Sequence, residues 1–92
     1  MYGYWNLAYN FHRKKAEPFL VEADAETGNR PLSINTHPGQ EFNYVLEGRL
    51  LISVGGCEME MGPGDCIYFD SAEPHGMKAL GGTRARFLAL VF

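Results

Sequence analysis

Short runs of apolar and aromatic residues alternate with polar, glycine-containing turns along the whole chain. These runs favour strands, because aromatic and β-branched side chains recur at short spacing and no window repeats with the period of a helix. The pattern predicts strands over residues 2–11, 18–22, 33–36, 41–47, 49–54, 57–61, 66–69, 75–79 and 84–92. Eight or nine short strands at this spacing are typical of a β-sandwich or barrel.

The predicted turns contain residues whose backbone preferences suit tight reversals. Gly55-Gly56 is a two-residue hairpin signal, because both positions accept a positive φ. Pro63-Gly64-Asp65 predicts another turn, in which the Asp65 side chain caps its own backbone. Residues 23–31 form the one long polar loop of the pattern.

Length and charge restrict the function classes. The chain has 92 residues, 46% of them hydrophobic, which allows one compact core. Its net charge is −3 and its pI is near 5.5, whereas nucleic-acid-binding surfaces are usually basic. The basic run His12-Arg13-Lys14-Lys15 is interpreted as an exposed loop. We therefore expect no direct contact with nucleic acid.

Cysteine usage and hydropathy indicate a cytoplasmic protein. Cys57 and Cys66 are too few for a small secreted disulfide scaffold, and we expect both to be reduced, with Cys66 in the core. No apolar run approaches the ~20 residues of a membrane span, and the N-terminus lacks the order of a signal peptide. No membrane contact is expected.

Candidate chemistry begins on the predicted strand 41–47. Residues two apart share a face of a strand, so Glu41, Asn43 and Val45 lie on one side. His37 precedes Glu41 by four residues across a Pro-Gly turn, which can fold the imidazole back beside the carboxylate. Asn35 lies two residues before His37 and is expected to share its face.

Two motifs resemble those of the cupin family. Asn35-x-His37-x3-Glu41-x6-Gly48 is similar to the first cupin motif, with Asn35 where the family has its first histidine. Pro63-Gly64-Asp65 followed by His75 ten residues later is similar to the second. The resemblance implies an all-β cupin jelly roll, a double-stranded β-helix, as one domain over 1–92. Residues 1–31 would supply N-terminal strands and a loop, and 32–92 the barrel core.

The same resemblance implies a metal site. His37, Glu41 and His75 occupy the family's ligand positions, with Asn35 as a poorer fourth ligand, since an amide oxygen binds transition metals less well than imidazole. Two imidazoles and one carboxylate suit iron, zinc, manganese or nickel. A carboxylate that binds no metal would instead need a hydrogen-bonding partner in the barrel. Asn43, Tyr68 and Met77 are the predicted ligand-contacting residues; for each, a purely structural role is the alternative.

Two functions follow from this resemblance. The chain is similar to the small cupin domains at the C-terminal end of XRE-type helix-turn-helix transcriptional regulators, which implies a small-molecule effector site. The alternative is a small metal-dependent oxygenase or isomerase. The predicted faces offer no clear acid or base beyond the metal ligands, which favours binding over catalysis.

We also expect a symmetric homodimer. The aromatic first strand and the strand that ends at Phe92 have apolar residues on both faces, and a strand of that kind is buried on both sides.

Overall fold

The computed structural model describes residues 2–25 and 32–92, and within these ranges the regular structure is entirely β. The strands are β1 (Tyr2–Asn6), β2 (Glu17–Ala23), β3 (Gln40–Glu47), β4 (Leu50–Val54), β5 (Cys57–Met61), β6 (Cys66–Asp70), β7 (His75–Ala79) and β8 (Ala85–Val91). They form a five-stranded sheet of order β1-β2-β8-β3-β6 and a three-stranded sheet of order β5-β4-β7. Every pair is antiparallel. The prediction of an all-β jelly roll is confirmed.

The core lies between the two sheets, where alternate side chains of each strand point inward. Val45 on β3 and Ile52 on β4 are both 0% exposed, and Phe87 on the central strand β8 is 2% exposed. Each large apolar side chain buried in this way stabilises the fold by about 1.5–3 kcal/mol. The core therefore holds the two sheets together face to face.

Two strand predictions were wrong, one in its extent and one in its existence. The first strand ends at Asn6 rather than residue 11, because the Asn6 side-chain oxygen accepts a hydrogen bond from the Ala8 N–H (3.1 Å) and turns the chain. The Lys14 ammonium then donates to the carbonyl of Ala8 at 2.8 Å, which fixes the turn. Residues 33–36 form no strand and make only an isolated bridge between Asn35 and His75. Of the predicted loop 23–31, residues 26–31 lie outside the described residues.

The outer face of the five-stranded sheet is apolar over all five strands. Register partners on neighbouring strands form one row of side chains across all five strands, and a second row beside it crosses four strands. The first contains Trp5, Leu20, Leu88, Tyr44 and Cys66, and the second Pro18, Leu90, Phe42 and Tyr68. The expectation that Cys66 is in the core is wrong, because odd and even positions of β6 face opposite sides and Cys66 is exposed.

The predicted turns have the conformations that their residues suggested. Gly55 and Gly56 both have positive φ, 58° and 82°, in the hairpin between β4 and β5. In the Pro-Gly-Asp turn, the Asp65 carboxylate accepts a hydrogen bond from the Gly62 N–H at 2.8 Å. Asp65 therefore caps the backbone of this turn.

Within residues 2–25 and 32–92, the chain contains no helix of the length and apolar character that would cross a membrane.

Candidate metal centre

Glu41, His37 and His75 come from three neighbouring parts of the fold. Glu41 is the second residue of β3, His75 is the first residue of β7, and His37 lies in the turn before β3. That turn requires Gly39, which has a φ of 101°, and a Cβ there would collide with the backbone oxygen of Phe92.

Backbone hydrogen bonds hold both histidines in place. The His37 N–H donates to the carbonyl of Ser71 at 3.0 Å, and the Ser71 N–H donates to the carbonyl of Gly39 at 2.9 Å. His75 exchanges two hydrogen bonds with Asn35, of 2.8 and 3.0 Å. These contacts place the two imidazoles on either side of one carboxylate.

The three side chains converge on one point. Oε1 of Glu41 lies 3.3 Å from Nε2 of His37 and 3.9 Å from Nε2 of His75. One donor atom from each residue lies within 4.8 Å of the other two. The Glu41 and His75 side chains are buried, at 9% and 7% exposure, whereas the His37 side chain is 35% exposed.

The outer nitrogen of each imidazole is occupied by the backbone. Nδ1 of His75 lies 2.8 Å from the carbonyl oxygen of Glu73, and Nδ1 of His37 lies 3.3 Å from that of Pro38. A carbonyl only accepts, so each Nδ1 carries a proton, and each Nε2 is the nitrogen left to bind a metal beside Glu41. Metal-bound histidines are held in this way, with one nitrogen on the metal and the other donating to a fixed acceptor.

The donor set fits a divalent transition metal. Two ligand atoms at right angles, each about 2.1 Å from a metal, are about 3 Å apart, so shifts of an ångström or less bring these atoms to bonding distance. A buried anionic oxygen needs a positive or hydrogen-bonding partner, and a bound metal cation supplies a positive one. Two imidazoles and a carboxylate leave further coordination positions for a ligand.

The three residues border a cavity of about 550 Å³ between the sheets. One wall is polar and includes Asn35 and Thr36, whereas the opposite wall is apolar and includes Phe19, Val21 and Phe87. Cavities of this size with a few polar groups are typical small-molecule sites.

Tyr4 is a cavity residue that sequence reasoning missed. It pairs with Val21 and lines the cavity from the edge strand β1, with its ring edge-on to Phe19. Partial burial raises the pKa of its hydroxyl above 10.0, and the charge of Glu41 raises it further. The hydroxyl therefore lies in the electrostatic field of the candidate metal ligand. Only the register between β1 and β2 reveals this, since aromatic residues occupy both faces of β1.

Comparison with known families decides the classification. The family model described as the cupin domain matches residues 22–91. The chain belongs to the cupin family.

Two similar proteins are longer than this chain. The uncharacterized protein MJ1618 of Methanocaldococcus jannaschii is 29% identical over 75 residues, 82% of this chain and 60% of that protein. Cobalt(II)-bound HppE in complex with Tris buffer has a TM-score of 0.82 and 26% identity, covering 99% of this chain and 53% of that one. This cupin thus spans about half to three fifths of these two relatives.

A regulator domain has the same fold. The cupin domain of an XRE-family transcriptional regulator from Enterobacter cloacae superposes with a TM-score of 0.81 over 98% of this chain and 94% of that one. Its identity is 20%, so the similarity concerns the fold.

The cupin cavity contains some of the predicted ligand-contacting residues. Met77 lines it, as does Asn35, the predicted fourth metal ligand. Asn43 is on the inner face of β3 and 1% exposed, and it is not among the residues that line the cavity. Tyr68 is on the outer face of the sheet, where its hydroxyl donates to the side-chain oxygen of Gln40 at 2.5 Å. The alternation of β6 therefore separates Tyr68 from the site.

Proposed function

We propose that this cupin domain binds a small molecule at a divalent metal ion held by His37, Glu41 and His75, and that it acts as the effector-sensing module of a transcriptional regulator or a close relative of one. The observation that supports it most is the group of three donor atoms within 4.8 Å at the border of the cavity. Iron, nickel, zinc and manganese all suit this donor set.

The cavity walls indicate the chemistry of the ligand. The bound metal would supply a Lewis-acidic position for a ligand oxygen or nitrogen. Among the described lining residues there is no lysine or arginine, so the metal is the positive charge of that part of the site. Phe19, Val21 and Phe87 offer apolar contact opposite it. We therefore propose a small ligand with one metal-binding polar end and one apolar end, with Met77 in contact.

Ligand binding can be transmitted through β2 and β8. Val21 and Phe87 face the cavity, while the alternate residues Leu20 and Leu88 face the outer side of the sheet. A ligand that displaces the inner side chains therefore moves the strands that carry the outer row. Binding would then shift the balance between two arrangements of a partner docked there.

We propose that this partner is a second copy of the chain. The two apolar rows extend about 19 Å across the five strands and lie about 7 Å apart along them. At one end lie the ion pairs of Arg84 with Glu22 (3.1 Å) and of Arg86 with Glu47 (3.3 Å), whose charges balance and so suit a self-complementary contact.

Effector sensing agrees with the charge and with the regulator neighbour. The net charge of −3 disfavours direct DNA contact, so a separate DNA-binding domain would read the operator. The free cysteines Cys57 and Cys66 support a reducing location, and we propose that the protein acts in the cytoplasm.

Metal content tests the proposal directly. Protein purified without a tag is expected to contain near-stoichiometric iron, nickel, zinc or manganese by mass spectrometry. His75→Ala should lose it, because one of three ligands is removed, whereas the exposed His12→Ala should retain it as a matched control. A wild-type protein that contains none of these metals and takes up none when they are added would contradict the proposed site.

Tyr4 favours a second candidate function, a metal-dependent oxygenase or isomerase. Its hydroxyl is the titratable group beside Glu41 that a catalytic site needs beyond its metal ligands. HppE has been solved with iron(II) in complex with substrate. Turnover of a bound small molecule would establish this function, and dioxygen uptake followed by an electrode would separate an oxygenase from an isomerase. Tyr4→Phe should then lower turnover while leaving the metal content unchanged.

A further inference from the structure

Two buried polar side chains close to Glu41 in the sheet register, Asn43 and Ser71, have atoms without a hydrogen-bond partner. Among the described residues, four buried side-chain nitrogen or oxygen atoms have no hydrogen-bond partner. Three of the four are Nδ2 and Oδ1 of Asn43 and Oγ of Ser71. Unpaired buried groups are rare in folded proteins because each keeps the cost of its lost hydration.

Asn43 lies one step deeper than Glu41 on the same face of β3. Residues two apart on a strand are about 6–7 Å apart, so the amide is next to the carboxylate in the row of inward side chains. Its cross-strand neighbours are Ile67 and Ala89, which offer no polar side chain. Asn43 is 1% exposed. Glu41 is therefore its nearest polar neighbour along the strand.

Ser71 lies on the other side of Glu41. It follows β6 two residues after Phe69, the register partner of Glu41, and is 0% exposed. Its backbone already supports the site, because its carbonyl accepts from His37 and its N–H donates to Gly39. Asn43 and Ser71 thus flank the carboxylate along two adjacent strands.

We propose that Asn43, assisted by Ser71, is a positioning residue for the metal ligand Glu41. The inference rests on the proposed metal site. Oε1 faces both histidines, and a carboxylate has a second oxygen with lone pairs of its own. When a metal binds Oε1, the second oxygen accepts from the Asn43 amide or the Ser71 hydroxyl and the carboxylate is held in one orientation. Neither side chain has another hydrogen-bond partner, so both donors are available to that oxygen.

This proposal makes the effect of Asn43 depend on metal. In the metal-free protein the unpaired amide is a cost, so Asn43→Leu, of similar size and apolar, should raise the melting temperature. In the metal-loaded protein the same change removes a hydrogen-bond donor to the metal-binding Glu41. Loss of such an outer contact typically weakens metal binding by about 10- to 100-fold.

Cobalt(II) titration provides the test. Asn43→Leu is expected to bind cobalt(II) about 10- to 100-fold more weakly than wild type, with a changed visible d–d spectrum because the carboxylate is reoriented. Asn43→Thr, which keeps a donor, should restore part of the affinity and the wild-type spectrum. Ser71→Ala should weaken binding in the same direction. Ile52→Val, a core change on β4, should lower the melting temperature and leave the cobalt(II) affinity unchanged.

Three results would overturn the proposal. If Asn43→Leu and Ser71→Ala bind cobalt(II) like wild type, the unpaired groups do not position Glu41, while the metal site itself stands. A lower melting temperature of metal-free Asn43→Leu would mean that the amide already has a partner. A wild-type protein that binds no cobalt(II) would remove the proposed metal function together with this inference.

Discussion

The backbone oxygen of Phe92 occupies the place where a side chain on residue 39 would begin. Gly39 has a φ of 101°, and the Phe92 N–H donates to the neighbouring Gln40 carbonyl at 2.8 Å. The end of β8 and the turn that carries His37 are thus packed backbone against backbone. The position of His37 beside Glu41 depends on this contact.

Gly39→Ala should therefore affect both the fold and the site. The left-handed conformation alone costs an alanine about 1–2 kcal/mol, and the collision with Phe92 adds to it. We expect the free energy of unfolding to fall by about 2 kcal/mol or more, with weaker metal binding because His37 is displaced. Chemical denaturation and metal titration would measure the two effects.

Gly56→Ala is the matched control for Gly39→Ala. Its φ of 82° is similarly left-handed, but a Cβ there would meet nothing within 4 Å. Only the conformational cost of about 1–2 kcal/mol should appear, with unchanged metal affinity. Equal losses in the two variants would show that the Phe92 contact is unimportant.

Asp65→Ala should lower stability without changing the site. The Asp65 carboxylate accepts from the Gly62 N–H, and its removal leaves that donor in the turn without a partner. A loss of about 1–2 kcal/mol is expected in denaturant melts, with metal and ligand binding retained. Asp70→Ala, which removes an exposed contact to the Ala72 N–H, should cost less. Abolished metal binding in folded Asp65→Ala would contradict a role confined to the turn.

The sequence was sufficient for the fold and for the grouping of three donor residues. On β3, the alternation of buried Glu41, Asn43 and Val45 with outward neighbours follows directly from the period of a strand. Turn glycines and prolines locate most strand ends, because their backbone preferences are local.

Properties that depend on strand register could not be predicted. Which face of β1 carries Tyr4 into the cavity is set by its pairing with Val21, and the outward position of Tyr68 by its pairing with Phe42. Ser33 to Thr36 read as a strand, yet only Asn35 finds a bridge partner. Such partners are distant in sequence, so local patterns carry no information about them.

Tyr4 should titrate at higher pH than an ordinary tyrosine. Burial and then the Glu41 charge both disfavour its phenolate, so its pKa is raised above 10.0. The unfolded chain releases this proton first as pH rises, so the contribution of Tyr4 to stability is complete below about pH 10 and is lost as pH rises through the folded pKa. Ultraviolet titration of wild type against Tyr4→Phe would isolate the transition. Glu41→Gln should lower the pKa of Tyr4, and an unchanged value would exclude the electrostatic contact.

Leu88→Glu should separate the proposed dimer into monomers. Leu88 lies on the central strand β8, between Leu20 and Tyr44 in the outer apolar row, so a charge there would be buried in a face-to-face contact between two copies. Light scattering at ~10 µM is expected to give a dimer for wild type, since large apolar interfaces persist at that concentration. Leu88→Glu should give a monomer with unchanged metal content. Ile34→Glu, which charges an exposed isoleucine beside Gly76 of the other sheet, should remain dimeric. A wild-type monomer, or a dimer that Leu88→Glu leaves intact, would show that this face is not the interface.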